Sequence, residues 1–221
     1  MEALRGVLTE EEIEAIKEVP VMESAQCDVL SWNHSKSGEF TAAGTREEPS
    51  VVNLGGANTV WKPPNRGWWK VNTDAAIASG RVGLGMIVSD CEGDVVMSGG
   101  SALELIIPAK QAEARASLFG LRYAYDAGYR KVVLESDCST LVELLKGNSQ
   151  ELSATQMIVK DILSLANLFE ACTFNFAKRL CKRAAHAIAK ASLTFVETLV
   201  WMDECPPDVI PIVLEDKALI E

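Results

Sequence analysis

The feature that most constrains this chain is a change in its strand and helix pattern near residue 108. Before it, three short runs of strand-forming residues extend from Trp68 to Ser98, and the turn Asp90-Cys-Glu-Gly-Asp joins the second to the third. Runs joined by so short a turn form antiparallel hairpins. After residue 108, helical and strand patterns alternate, which requires crossovers between parallel strands. The sequence therefore predicts an α/β fold with a mixed sheet.

The predicted elements follow one another in the order β-β-β-α-β-α-α-β-α. We expect a five-stranded mixed sheet, with three antiparallel strands and then two parallel ones, flanked by helices. The strands are predicted over Trp68–Asp74, Val82–Ser89, Val95–Ser98, Lys131–Asp137 and Cys172–Ala177, and the helices over Pro108–Asp126, Ser139–Lys146, Thr155–Ala166 and Arg183–Met202.

Three carboxylic acids occupy junctions of this pattern. Asp74 and Asp137 each close a strand that we expect to be central, and the ends of neighbouring parallel strands meet at one edge of a sheet. Glu113 lies in the first turns of the long helix, among small residues that let a helix approach a sheet closely. Converging acids repel one another, and oxygen ligands suit Mg²⁺ or Mn²⁺. Each acid alone has a plainer interpretation, since Asp137 could cap the next helix, but the ordered set predicts a metal site.

Charge divides the chain into three segments. Residues 1–60 hold 4 Lys and Arg against 11 Asp and Glu, residues 61–200 hold 16 against 14, and residues 201–221 hold 1 against 6. The net charge of −10 therefore comes from the flanks, and it does not exclude a polyanionic partner for the middle segment. We expect an acidic leader and linker over 1–60, a folded domain over 61–202 and an acidic tail over 203–221.

Targeting and redox signals are weak along the whole sequence. No apolar run is long enough to cross a membrane, and the N-terminus lacks the apolar stretch of a secretory signal. The six cysteines form no CxxC pair, which favours reduced thiols over a disulfide or zinc framework. We therefore expect an intracellular monomer, in the nucleus or the cytoplasm without distinction, that uses neither a membrane nor a small-molecule cofactor.

Four sequence blocks share their order and spacing with a known family. They are Trp69-Lys-Val-Asn-Thr-Asp-Ala-Ala, Gly83-Leu-Gly-Met-Ile-Val-Ser-Asp with Gly93 in the turn, Ala112-Glu-Ala, and Leu134-Glu-Ser-Asp-Cys. Over residues 61–201 the chain resembles the ribonuclease H domain of plant non-LTR retroelements and their host-gene relatives. The resemblance implies a ribonuclease H-like fold and hydrolysis of the RNA strand of RNA–DNA hybrids. It also implies catalytic and metal-binding roles for Asp74, Glu113 and Asp137.

The leader carries a weaker resemblance of the same kind. Asp28-Val-Leu-Ser-Trp and Lys36-Ser-Gly-Glu-Phe-Thr look like the connector that follows the reverse transcriptase in those elements. We therefore expect residues 1–60 to be a remnant of that retroelement connector.

The C-terminal block departs from the family pattern His-Val-Pro-Arg-x-x-Asn-x-x-Ala-Asp/His. Phe176 replaces the first His, Lys182 replaces the Asn, and His186 stands at the last position, where many ribonucleases H have a fourth metal-binding acid. Imidazole is a poorer ligand for Mg²⁺ than a carboxylate. The resemblance thus implies a two-metal site whose second metal, near Asp74 and His186, binds weakly. The alternative for His186 is a polar helix residue that only faces the sheet edge.

Basic residues recur in the same block. Lys178, Lys182, His186 and Lys190 are spaced by four, with Arg179 and Arg183 beside them. On a continuous helix this spacing gives a basic stripe, and we predict nucleic-acid contacts for Lys178, Arg179, Lys182 and Arg183. A solvated face of the last helix is the alternative.

Three functions fit these residues. The first is a metal-dependent endonuclease that hydrolyses the RNA strand of RNA–DNA hybrids, or binds a similar double-stranded RNA-like duplex, with activity weakened by the altered C-terminal block. The second is a non-catalytic nucleic-acid-binding module, a degenerate retroelement remnant, which the changes at Phe176 and Lys182 support. The third is a protein-interaction domain that uses the acidic tail. Metal-supported cleavage of a hybrid separates the first from the second.

Overall fold

Six strands form one mixed sheet in the computed structural model, which describes residues 61–147 and 154–219. In chain order the strands are β1 Trp69–Ala78, β2 Arg81–Ser89, β3 Val95–Leu103, β4 Lys131–Ser136, β5 Ala171–Phe176 and β6 Leu199–Met202. Across the sheet the order is β5-β4-β1-β2-β3-β6. Strand β4 is parallel to β1 and β5, and the other neighbours are antiparallel. The predicted α/β fold and its five strands are confirmed, and β6 is an addition.

Helices cover both faces of this sheet. Within the described ranges they are α1 Ala109–Asp126, α2 Ser139–Leu145, α3 Ala154–Ala166, α4 Arg183–Ser192 and α5 Ile210–Ala218, with a 3-10 helix at Arg179–Lys182. Neighbouring residues of β2 point to opposite faces, because side chains alternate along a strand. Met86 and Val88 join the core that includes α1 and α3, whereas Ile87 joins the core that includes α4.

The prediction of one last helix over Arg183–Met202 is wrong. Helix α4 ends at Ser192, and β6 then pairs with β3, with Leu199 opposite Gly100. The residues after Ser192 are rich in β-branched side chains, whose χ1 angles are restricted in a helix and which favour a strand. These side chains are Thr194, Val196, Thr198 and Val200. Strand β6 therefore extends the sheet beyond β3.

Helix α5 lies beyond the predicted end of the domain at residue 202. Val209, just before α5, is 2% exposed and packs in the core with Ile87 and Ile188. The predicted domain boundaries at residues 60 and 202 stay predictions. The predicted leader, linker and connector remnant over residues 1–60 lie outside the described residues. Among the described helices, none has the length and apolar character needed to cross a membrane.

Candidate functional site

Asp74 and Asp137 lie at the same level of two neighbouring parallel strands. The last pair of the β1–β4 ladder is Asn72 opposite Glu135, and two residues further along stand Asp74 and Asp137. Strand β4 has ended there, as predicted for Asp137. Strand β1 continues to Ala78, however, because β2 still pairs with it. The prediction that the first strand ends at Asp74 is therefore wrong, although Asp74 still faces the same sheet edge as Asp137.

Glu113 reaches this edge from helix α1. The helix lies close to the sheet because residue 120 is glycine: a Cβ there would lie 2.5 Å from Thr73 Cγ2. The backbone N–H of Ala75 donates to Glu113 Oε1 at 3.4 Å, whereas Glu113 Oε2 is buried without a hydrogen-bond partner. Each of the three acids offers one oxygen, and these oxygens lie within 4.8 Å of one another. The structure thus brings together the three carboxylates selected from the sequence.

The side chain of Lys182 lies among these acids. Its Nζ donates to Asp137 Oδ1 at 2.8 Å, to Asp74 Oδ1 at 3.1 Å and to the backbone oxygen of Thr73 at 2.7 Å. The side chain is 0% exposed. The prediction that Lys182 contacts nucleic acid from an exposed stripe is therefore wrong.

Burial and charge act in opposite directions on the ionisable groups of this pocket. Burial disfavours the ammonium of Lys182, but the attraction of Glu113, Asp74 and Asp137 outweighs it and raises the lysine pKa. Burial raises the pKa of Glu113 to about 7, with the repulsion of both aspartates adding to the rise and the attraction of Lys182 opposing it. At neutral pH the pocket therefore contains a charged lysine and a glutamic acid that is partly protonated.

A break in helical geometry separates Lys182 from the predicted stripe. Lys178 is extended, with φ −63° and ψ 151°, and Lys182 has φ −132° and ψ 21° between the 3-10 helix and α4. Residues spaced by four share a face only along a continuous α-helix. Lys178 and Lys190 are consequently exposed whereas Lys182 is buried, and the continuous stripe does not form.

His186 contacts the second oxygen of Asp74. Its Nδ1 lies 2.7 Å from Asp74 Oδ2, and its Nε2 lies 3.1 Å from Arg179 Nη2. Both contacts are hydrogen bonds when Nδ1 carries the proton and Nε2 accepts from the guanidinium, a tautomer assigned from this network. His186 therefore contacts an acid of the pocket directly, whereas the alternative interpretation had it only facing the sheet edge.

Arg183 is directed away from the acids. Its guanidinium pairs with two acids of α5, Glu215 at 2.7 Å and Asp216 at 3.7 Å. Because two carboxylates balance the charge of this guanidinium, its electrostatic attraction for a phosphate is weaker than that of an unpaired arginine. Of the four predicted nucleic-acid contacts, Lys178 and Arg179 are the two that are exposed and form no ion pair with an acid of the described residues.

The pocket meets only part of what a divalent ion needs from its ligands. Three carboxylates and the unpartnered Glu113 Oε2 are ligands of the type that Mg²⁺ and Mn²⁺ prefer. However, the ammonium of Lys182 is already bonded to two of the three acids. A second cation at their centre would be repelled by it. With Lys182 in this position, the residues do not fit the predicted two-metal site.

Known proteins show the same arrangement of sequence and fold. A family model described as reverse transcriptase-like matches residues 72–192, a range that contains the three acids, Lys182 and His186. The chain belongs to this reverse transcriptase-like family. An Arabidopsis thaliana protein named "Putative ribonuclease H protein" is 38% identical to this family member over 90 residues. The match covers 39% of this chain and 14% of the length of that relative.

Solved ribonucleases H share the fold of this family member. RNase H1 from the archaeon Halobacterium salinarum NRC-1 has a TM-score of 0.51 and 20% identity, over 57% of this chain and 97% of that chain. The N-terminal RNase H domain of a Mycobacterium tuberculosis protein has a TM-score of 0.53 and 18% identity, over 57% and 93%. LC11-RNase H1, solved in complex with RNA/DNA hybrid, has a TM-score of 0.52 and 14% identity, over 57% and 96%. This part of the chain therefore has a ribonuclease H-like fold.

The inward position of Lys182 was missed by the sequence analysis. The nearby residues Cys181 and Ala184 are small or apolar and both prove buried, but the charged Arg183 stands between Lys182 and Ala184, so this local signal alone does not give the direction of the lysine. A lysine flanked in this way and placed beside three acids is a candidate internal counter-ion rather than a surface cation.

Proposed function

We propose that this domain binds RNA–DNA hybrid duplexes at the sheet edge that bears Asp74, Glu113 and Asp137. The observation that carries the proposal is the position of two exposed cations, Lys178 and Arg179, beside the pocket of a ribonuclease H-like fold. LC11-RNase H1, which shares that fold, binds an RNA/DNA hybrid. Recognition of such a duplex depends on its shape, its phosphates and the 2′-hydroxyl groups of the RNA strand, so we expect little base-sequence preference.

The phosphate contacts of this proposal come from the exposed cations beside the pocket. Arg179 is linked to the pocket through His186, which it contacts at 3.1 Å, and Lys178 precedes it in the chain. Both side chains are exposed, so a phosphate can approach them. Binding through a few such contacts is weakened by salt, because the counter-ions released from the duplex gain less entropy when the bulk salt concentration is high.

Hydrolysis of the RNA strand is the second candidate function. It is favoured by the convergence of the three acids, which provides oxygen ligands for Mg²⁺ or Mn²⁺, and by the name of the Arabidopsis relative. When bound, such ions would activate water and stabilise the leaving oxygen. The buried Lys182 opposes this function, because its ammonium is bonded to two of the same acids. We therefore propose binding as the main function and cleavage as the alternative.

The binding proposal is tested by fluorescence anisotropy with a short labelled hybrid, in EDTA and in Mg²⁺ or Mn²⁺. Replacing one phosphate-contacting cation should weaken binding and reduce the slope of log affinity against log salt by about one. We expect this result for Lys178→Ala and for Arg179→Ala. Gel analysis of the same mixtures reports whether the RNA strand is cut.

A matched lysine provides the control. Lys131 is exposed and begins β4, at the opposite end of the strand from Asp137, so Lys131→Ala removes the same charge far from the proposed contact. We expect its affinity and salt slope to equal those of the unaltered chain. Absence of hybrid binding, or an equal loss in the control, would contradict the proposal, and cutting of the RNA strand would favour the second candidate.

A further inference from the structure

Lys182 uses all of its hydrogen-bonding capacity inside the acidic pocket. An ammonium group has three N–H donors. The structure gives Nζ of Lys182 three acceptors: the carboxylates of Asp74 and Asp137 and the backbone oxygen of Thr73. Since the side chain has no exposed area, no donor remains for solvent or for a phosphate.

The positive charge of this lysine reduces the repulsion among the three acids, which is the effect that a bound metal ion would otherwise have. Three carboxylates with oxygens within 4.8 Å of one another repel strongly in a partly buried pocket. An ammonium bonded to two of them reduces that repulsion. A divalent ion that entered the same space would first have to displace the ammonium from both aspartates.

The backbone around Lys182 is fixed by close packing. Cys181, which precedes it, and Ala184, two residues after it, are 5% and 6% exposed. Helix α4 then lies against β2 so closely that a Cβ on Gly85 would be 2.4 Å from the backbone oxygen of Ala185. Rotation of the lysine out of the pocket would leave the buried Asp74 without this charged partner. The inward position is therefore the stable one.

We propose that Lys182 is a resident cation in the place of a divalent ion, so that the chain binds hybrid without metal and acquires a metal site only when Lys182 is replaced. The statement about the hybrid rests on the proposed function. The statement about the metal does not, because metal binding can be measured without nucleic acid.

Calorimetric titration of the full chain with Mn²⁺ tests the metal statement. Lys182→Asn restores the asparagine of the family pattern and removes the ammonium. Lys190→Asn removes an exposed lysine from α4, the helix that begins directly after Lys182, and is the matched control. We expect the unaltered chain and Lys190→Asn to bind Mn²⁺ at least about 10- to 100-fold more weakly than Lys182→Asn, the range by which groups around metal ligands change affinity.

A second variant locates the ion. Asp74→Asn combined with Lys182→Asn should lose the gained binding, because one of the three carboxylates is then absent. If Lys182→Asn is unfolded without metal, Mn²⁺-dependent refolding followed by circular dichroism is the equivalent measurement. Failure of that refolding would overturn the inference, as would no gain of Mn²⁺ binding in a folded Lys182→Asn.

Two results distinguish failure of this inference from failure of the proposed function. Saturable Mn²⁺ binding by the unaltered chain, as tight as that of Lys182→Asn, overturns the resident cation whatever the hybrid does. Hybrid binding by the unaltered chain in EDTA, unchanged on addition of Mg²⁺, is the expected result. Loss of hybrid binding in both conditions would reject the function and leave the metal result to stand.

Discussion

At the scale of single residues, Glu113 is the least satisfied member of the acidic pocket. One of its oxygens accepts a hydrogen bond from Ala75 N–H, and the other is buried without a partner. Its pKa is raised from 4.5 to about 7, with burial as the main cause. The folded state therefore binds a proton more tightly than the unfolded state. Stability from this group is full below pH 4.5 and decreases as the pH rises toward 7.

Replacement of Glu113 by Gln should remove this pH dependence. Glutamine cannot ionise, so the stability of Glu113→Gln relative to the unaltered chain should increase between pH 5 and pH 8, by on the order of 2 kcal/mol. The measurement is urea unfolding in EDTA at both pH values. Glu104→Gln, at an exposed acid, should show no such increase. A relative stability of Glu113→Gln that stays constant between the two pH values would contradict this explanation of the pKa.

The positions of the acids could be predicted from the sequence, but the position of Lys182 could not. Asp137 follows an apolar strand and Glu113 follows the start of a helix, and both signals are local in the chain. The direction of Lys182 depends on where the 3-10 helix changes to α4, and helical spacing alone does not show that change. Prediction from spacing assumed one continuous helix, so the lysine was assigned to the wrong surface.

At the scale of elements, the contact between α4 and β2 fixes the side of the pocket that Lys182 and His186 form. Strand β2 has glycine opposite Asp74, at residue 85, and the backbone of α4 occupies the space that a side chain would need. A Cβ on Gly85 would lie 2.4 Å from Ala185 O and 2.4 Å from Ala189 N. This close approach brings His186 to Asp74. Helix α4 begins directly after Lys182, so the same packing also fixes the position of that lysine.

Substitution of Gly85 by Ala should therefore displace α4. Overpacking of this kind costs about 1–3 kcal/mol, and we expect Gly85→Ala to lower the urea midpoint accordingly. The same displacement should weaken the contacts of Lys182 and His186 with the acids. Ala191→Ser, on the exposed side of α4, is the control and should leave the free energy of unfolding within about 0.5 kcal/mol of the unaltered value. Equal midpoints for the two variants would show that α4 tolerates the extra methyl group.

Element order was easier to predict than element ends. The three hairpin-linked strands and the crossover helices were recognisable because their periodicity extends over many residues. Strand β6 was missed because its four residues, Leu199–Met202, follow a helix directly and are stabilised by pairing with β3, which is distant in the chain. Pairing at long range has no local signal, so the last helix was predicted too long.

At the scale of the whole domain, the C-terminal segment completes one of the smaller hydrophobic cores. The largest core lies between the sheet and the helices α1 and α3, and the smaller core discussed here lies under α4. Val209, 2% exposed, fills the smaller core beside Ile87, and Arg183 pairs with two acids of α5. The acidic composition of residues 203–221 predicts a tail. Docking of this segment is not evident from the sequence, because its few apolar side chains are dispersed among charged ones.

Docking of this segment predicts a difference between two aliphatic truncations. Val209→Ala removes buried methyl groups and should cost about 1–3 kcal/mol of unfolding free energy, from lost burial plus a residual cavity. Leu214→Ala removes a larger side chain that is 61% exposed on α5, and should change the free energy by less than about 0.5 kcal/mol. Urea unfolding of the full chain measures both. A loss for Leu214→Ala that equals or exceeds the loss for Val209→Ala would mean that α5 packs through another face.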